Sequence, residues 1–398
     1  MHGSAGAITA LQNSVAHYYQ RASSADYLGV DPTRRSLTGT GGYVKVGRKG
    51  NAKWNFSETF TWSSPGFDLN DMGYMKETDY LMNETEIMYR QTDIWKIFRY
   101  NAFTLSQKNM WNYGGTPFSN NASLRWQSMT MNRYEWDVKE TFAWNWLDSR
   151  LLRGGPDVRF GSYFLTSAKF NTDKAKRMMF MLKYEGDHNF EGNRFNTISP
   201  SLTFRLGNHV YLSGQLDYAW NTDEMQYVAT TSPLSSSSLA PYYYVMGHMD
   251  QKTYGLTLKL QVNVTPDISI QFYGAPFTSI AKYDDFKLAA DTKSHTFENR
   301  FQRIDPDQLT YADGVYTIGE GAGQMPFRNP DFRFNEFRSN LVARWEYLPG
   351  STLYFVWEHR MSNRDNWYSS GWGSNLDRMW GLPATNTFMI KMNYWFNL

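Results

Sequence analysis

Asp68, Asn70 and Asp71 crowd into SPGFDLNDMGY (64–74), between a Pro-Gly pair and a Gly. Hard oxygen donors at this spacing could hold a Ca²⁺ ion. The Asp-x-Asn start does not run on into a full calcium loop, and Asx turns use the same residues, so a structured loop without metal is expected. Arg153-Gly154-Gly155-Pro156 offers a guanidinium and backbone amides to an anion. The simpler expectation is a tight loop tip with Arg153 plugging a lumen. GEGAGQ (319–324) has the glycines of a phosphate loop, yet it follows no parallel strand and opens no helix. Trp367, Trp372 and Trp380, with Tyr242 to Tyr244, stand among Gly, Ser and Asn; such rings stack on sugars or pin loops together, and pinning is expected. His2, His17, His188, His209, His248, His295 and His359 show no metal-ligand spacing, and no local pattern marks a Ser-His-Asp triad. The motifs therefore imply no metal, no cofactor and no nameable catalytic residue.

The elements that carry these loops are strands, because period two recurs almost everywhere. Leu256, Leu258, Leu260, Val262 and Val264 alternate with Thr257, Lys259, Gln261 and Asn263; after Thr265-Pro266-Asp267 the pattern restarts at Ile268. Leu341 to Tyr347, Leu353 to Trp357 and Tyr134 to Trp146 alternate in the same way. The last residues, FMIKMNYWFNL, put Phe388, Ile390, Met392, Tyr394, Phe396 and Leu398 on one parity and Lys391, Asn393 and Asn397 on the other. Tight turns are expected at 49–51, 91–93, 132–133, 171–174, 207–208, 265–267 and 348–351. Long connections are expected at 23–42, 63–78, 107–121, 147–157, 187–195, 221–252, 278–335 and 361–386. With a first strand at 11–22, short and long connections alternate through about sixteen strands (range 14 to 18), leaving both chain ends on the short-turn side.

That order predicts a closed antiparallel up-and-down transmembrane β-barrel, with long extracellular loops, short periplasmic turns and FMIKMNYWFNL as the closing strand. Trp54, Trp62, Trp136, Trp146, Trp345 and Tyr347 near strand ends fit interfacial girdles. Glu58 and Glu140 break the apolar parity, as interfacial residues or at β-bulges. The polar parity places Arg125, Asp137, Lys139, Arg205, Asp217, Lys259, Arg344 and Glu358 toward the lumen. Their mixed signs argue against a strongly charge-selective pore and for pairing across the lumen wall.

Composition agrees. Aromatic residues make up 17% of the 398, yet mean hydropathy is -0.59, as for a protein with one wet face and one apolar face. A net charge of +2 without a basic run gives no reason to expect nucleic acid. With no Cys there is no disulfide framework and no thiolate site. No stretch is long and apolar enough for a transmembrane helix. Met1 to Ala10 lacks the basic start and apolar run of a signal peptide, so the chain is expected to be the C-terminal part of a longer protein, folded as one domain over 1–398.

SSPGFDLNDMGYM (63–75), LLRGGPDVRFG (151–161), NTDKAKR (171–177), MQYVATT (225–231), the run from Tyr244 to Phe277 and NLVARWEYLPGSTLYFVWEHR (340–360) resemble a barrel domain of unknown function from envelope proteins of Gram-negative bacteria. In that family the barrel follows a periplasmic module similar to family-9 carbohydrate-binding domains, which is not expected within these 398 residues. The resemblance implies an outer-membrane location, outer-membrane lipid as partner and insertion by the barrel-assembly machinery. The functional expectation is a transport or anchoring component of the envelope handling a glycan or other small solute. The alternatives are a cell-surface hydrolase on a barrel scaffold and a structural barrel with a plugged lumen. The hydrolase requires an acidic residue and a His or Ser from different loops to meet at the rim.

Overall fold

A computed structural model describes residues 1–21, 26–70, 73, 75–234, 242–366 and 371–396, the side chain of Trp372 excepted. The chain is all-β and antiparallel. Its first strands are β1 (Gly41–Arg48), β2 (Trp54–Ser63), β3 (Tyr80–Gln91), β4 (Phe98–Trp111), β5 (Pro117–Thr130) and β6 (Glu135–Trp144). A small hairpin, β7 (Trp146–Asp148) with β8 (Val158–Phe160), precedes β9 (Tyr163–Asn171), β10 (Met178–Asn189) and β11 (Arg194–Leu206). Three tall strands come next: β12 (Val210–Thr231), β13 (Tyr243–Asn263) and β14 (Ile268–Ala289). β15 (Phe301–Arg303) pairs with β14, and β16 (Leu309–Ala312), β17 (Val315–Ile318) and β18 (Met325–Arg328) form a separate small sheet. β19 (Phe332–Leu348), β20 (Ser351–Asp365) and β21 (Thr385–Asn393) complete the wall.

Each wall strand pairs with the next in sequence order, skipping only the small inserts, from β1 at one edge to β21 at the other. Among the described residues no bond joins these two edges. All seven expected turns fall between wall strands, as at 207–209 and 264–267. Five of the long connections are shorter than expected, because pairing runs past the apolar parity, while 64–79 keeps its expected length and 145–162 is longer because it holds the β7–β8 hairpin. β4 and β5 leave only 112–116 between them, and β12 and β13 pair as far as Thr231↔Tyr243. Backbone hydrogen bonding sustains these upper strands where hydropathy gives no alternation to read.

The register separates two faces. Phe56, Phe60, Ile87, Leu105, Leu124, Leu212, Leu216 and Ile390 share one face and are exposed on it. Arg125, Asp137, Lys139, Arg205, Asp217, Lys259, Arg344 and Glu358 all occupy the opposite face. Glu58 and Glu140 stay on the apolar face without any bulge; the strand pairs around them run in unbroken register. Neighbouring polar groups compensate them instead. Thr85 Oγ1 donates to Glu58 at 2.6 Å, Asn83 donates to the same carboxylate, and Thr166 Oγ1 donates to Glu140 at 2.7 Å.

The expected first strand at 11–22 is not formed. The segment opens with helix α1 (Ala5–Gln12), where Ser4 Oγ accepts from the Ala7 N–H at 3.2 Å as an N-cap. Ala5, Ala7 and Ala10 favour helix intrinsically, and Ile8 and Leu11 fall one turn apart. The N-terminal segment lies at the long-connection end, where His2 bridges to Ser36 and Ser64 N donates to Thr40 O. It is therefore not on the short-turn side. A second helix, α2 (Trp372–Trp380), packs on β14, β19 and β20. The C-terminal stretch is a strand only to Asn393; Asn397 and Leu398 lie outside the described residues.

Candidate functional site

At the long-connection end, segments distant in sequence are tied into a cap. The Asp79 carboxylate takes Arg21 Nη2 at 2.8 Å, the Tyr27 hydroxyl at 2.6 Å and the Tyr113 N–H at 3.1 Å. Thr78 N donates to Ala16 O at 3.0 Å, and Arg150 Nη1 reaches Lys76 O at 3.3 Å. On the far side, Thr292 Oγ1 donates to Asp157 O at 2.6 Å, and Arg300, only 1% exposed, grips both Glu191 oxygens at 2.7 and 2.9 Å. A buried, bidentate, hydrogen-bonded pair of this kind resists loss of either partner. The N-terminal segment is thus tied to the β2–β3 connection, which is bonded in turn to β4–β5 and β6–β9, while β14–β19 is bonded to both β6–β9 and β10–β11. At Gly39 a Cβ would lie 2.1 Å from Phe67 N, and at Gly66 it would lie 2.4 Å from Thr38 O, so the crossing of 38–41 over 64–67 requires glycine.

Four cavities matter here. One of about 550 Å³ lies between β1 and the 64–79 connection, lined by Tyr43, Trp62, Phe67, Met75 and Tyr80. Two adjoin the β7–β8 hairpin: about 270 Å³ beside Lys108, Met110 and Phe118, and about 160 Å³ beside Tyr163, Asp187 and Asp223. The largest, about 670 Å³, opens at the short-turn end among Arg99, Arg133, Glu135, Asp173 and Lys174. Both signs of charge line it.

The sequence-predicted residues divide by face and by loop. Arg125 and Asp137 meet fork to fork, with Nε to Oδ1 at 2.7 Å, while Asp217 accepts from Ser199 Oγ at 2.6 Å and Arg344 pairs with Glu346 at 2.5 Å. Arg205 Nη1 donates to Lys174 O at 3.3 Å. Lys139, Lys259 and Glu358 stand on the same face without joining these pairs into one constellation. In the 64–74 loop, Asp68 Oδ1 accepts from Asn70 N at 2.8 Å and Asn70 Oδ1 from Met75 N at 3.0 Å, which are the bonds of a structured turn. Asp71 lies outside the described residues, as does Trp367. Arg153 sits in a tight turn with Gly154 and Gly155, but its guanidinium stacks 4.4 Å over the Tyr227 ring rather than reaching an anion. Trp372 opens α2, and Trp380 packs edge-on against Phe337 at 4.8 Å. The 319–324 glycines make a turn between β17 and β18.

Two clusters escaped the sequence reading. Ser14 Oγ lies 3.2 Å from His17 Nδ1, and Asp68 Oδ2 lies 4.0 Å from His17 Nε2. His17 Nε2 is bonded to Phe67 O at 3.2 Å, and the residue is 1% exposed, so the ring pins the β2–β3 connection and presents no face to a substrate. Burial lowers its pKa against the opposing pull of Asp68. His248 lies 3.1 Å from Glu224 and 3.6 Å from Asp250; burial disfavours its charged form, but the Glu224 hydrogen bond and the nearby carboxylates prevail and raise its pKa. Ser14–His17 and His248–Asp250 are close in sequence, but the partners that complete each cluster, Phe67 and Asp68 for His17 and Glu224 for His248, are brought in only by the fold. Among the described residues no group of three or more His, Cys, Asp or Glu could hold a metal ion.

No curated protein matches the chain. A family model described as a domain of unknown function, DUF5916, matches residues 4–398, and the chain belongs to that family.

Proposed function

We propose that the chain is an outer-membrane β-barrel, a transport or anchoring component of the cell envelope whose mouth is covered by its own N-terminal segment and connections. The observation that carries this reading is the exposed apolar face bounded by two rows of rings. Trp54, Tyr89, Trp126, Trp136 and Trp345 stand toward the short turns, and Trp62, Trp111, Trp144, Tyr218 and Tyr254 toward the long connections. Eight residues separate Trp54 from Trp62. At ~3.3 Å per residue and a tilt of ~40°, that is roughly 20 Å, close to the apolar band of an outer-membrane barrel. Water meets the other face, where Arg125–Asp137 and Lys183–Glu185 pair. Open edges within lipid would leave backbone groups unsatisfied, so the sheet closes there. Outer-membrane lipid and the insertion machinery are then its partners.

The test is refolding with and without detergent. The folded chain is expected to require detergent or lipid and to run faster on SDS gels unheated than boiled. A monodisperse folded monomer in plain buffer overturns the reading.

A further inference from the structure

The 160 Å³ cavity beside the β7–β8 hairpin brings aromatic rings, two carboxylates and carboxamides together on the polar face. One wall is aromatic: the Trp146 ring lies 5.0 Å from Tyr163 and 6.0 Å from Phe160. The other wall is built by strands. Asp187 pairs in register with Phe195, and Phe195 with Asn221, so Asp187 and Asn221 stand on the polar face two strands apart, with Asp223 one step further along β12. This level lies beyond the Tyr218–Trp220 ring row, outside the apolar band. Asp223 Oδ1 accepts from the Met225 N–H at 2.8 Å, which leaves its second oxygen available. Asn193 Oδ1 accepts from the Glu224 N–H at 2.7 Å, which leaves its amide hydrogens to donate. The cavity therefore presents two carboxylates, the carboxamides of Asn189, Asn193 and Asn221, the Arg194 side chain and an aromatic wall.

We propose that this cavity is a carbohydrate subsite sized for one pyranose ring. A sugar has an apolar C–H face that packs on aromatic rings and a rim of hydroxyls that donate to carboxylates and accept from carboxamides. The volume is below the roughly 300–1,000 Å³ of sites for drug-sized ligands. A divalent cation fits less well, since the Arg194 side chain lines the same cavity and, among the described residues, no group of three or more His, Cys, Asp or Glu could hold one. The inference deepens the envelope-transport reading by naming its solute class, and rests on that reading only for the placement of the cavity inside a lumen.

The experiment titrates folded, detergent-solubilised chain with D-glucose, D-galactose, D-mannose and N-acetyl-D-glucosamine, followed by saturation-transfer NMR and tryptophan fluorescence. At least one sugar is expected to saturate. Asp187→Ala is expected to weaken it roughly ten- to hundredfold, as for lost hydrogen bonds to a charged group, Trp146→Leu several-fold, and Trp380→Ala, on α2, not at all. Unheated gel mobility shows that each variant is folded. Three results overturn the proposal: no saturation by any of the four sugars, equal affinity in the Asp187 and Trp146 variants, or Ca²⁺ binding lost in Asp187→Ala while the sugars give no signal. If the barrel reading fails, the chain folds without detergent, and the same titration in plain buffer still decides the cavity.

Discussion

His17 shows how a single side chain serves the cap. Its ring is sealed between Ser14 and Phe67 O, and burial holds its pKa below the ordinary 6.5. In this window the unfolded chain binds more protons than the folded one, so stability rises with pH. The contribution is complete above pH 6.5 and is lost as pH falls toward the depressed folded value. His17→Gln should flatten that part of the stability–pH curve, measured by thermal melts between pH 4 and about pH 8; an unchanged slope would assign the acid sensitivity elsewhere. The roles of such residues were not legible in the sequence. Asp68 and Asn70 were found because Asx turns are local, and the eight polar-face residues because parity is local. His17, Asp79 and Arg300 act through partners 50, 58 and 109 residues away, and no spacing rule reaches that far.

At the level of elements, the wall was legible and its covering was not. Strands crossing the apolar band announce themselves by alternation, whereas the upper half of β12 carries Thr222, Asp223 and Glu224 beside Met225, and is tied to β13 by backbone bonds together with the Thr222–Asp250 and Glu224–His248 contacts, which no alternation announces. Leu11 to Ala22 mixes apolar and polar residues as a strand would, whereas the Ala-rich run before it and the Ser4 cap decide for helix. Its docking depends on few groups. Asp79 holds Arg21, Tyr27 and the Tyr113 amide at once, and its side chain is fully buried. Asp79→Ala should cost the cap roughly 3–5 kcal/mol by leaving Arg21 without this partner. The expected consequences are early proteolysis of residues 1–40 and higher single-channel conductance in planar bilayers. Unchanged conductance alongside a released segment would mean that the cap does not obstruct the lumen.

For the molecule as a whole, fifteen wall strands among the described residues run in serial order, β1 to β6, β9 to β14 and β19 to β21. β1 descends from Gly41, beside Ser63, toward the short turns; β21 descends likewise from the 366–384 connection to Asn393, opposite Thr352. An odd number of staves cannot alternate direction all the way round a cask. If rolled shut on its own edges, this wall would have one seam where neighbours travel the same way, a slightly weaker pairing per residue. One further stave between β1 and β21 would instead restore alternation all the way round. Single cysteines at Val44 or Val46, each combined with one at Phe388, Ile390 or Met392, measure the seam. Direct disulfides mean that the edges touch, whereas bridging only by reagents of about 10 Å, two strand spacings, means that a further ribbon lies between them.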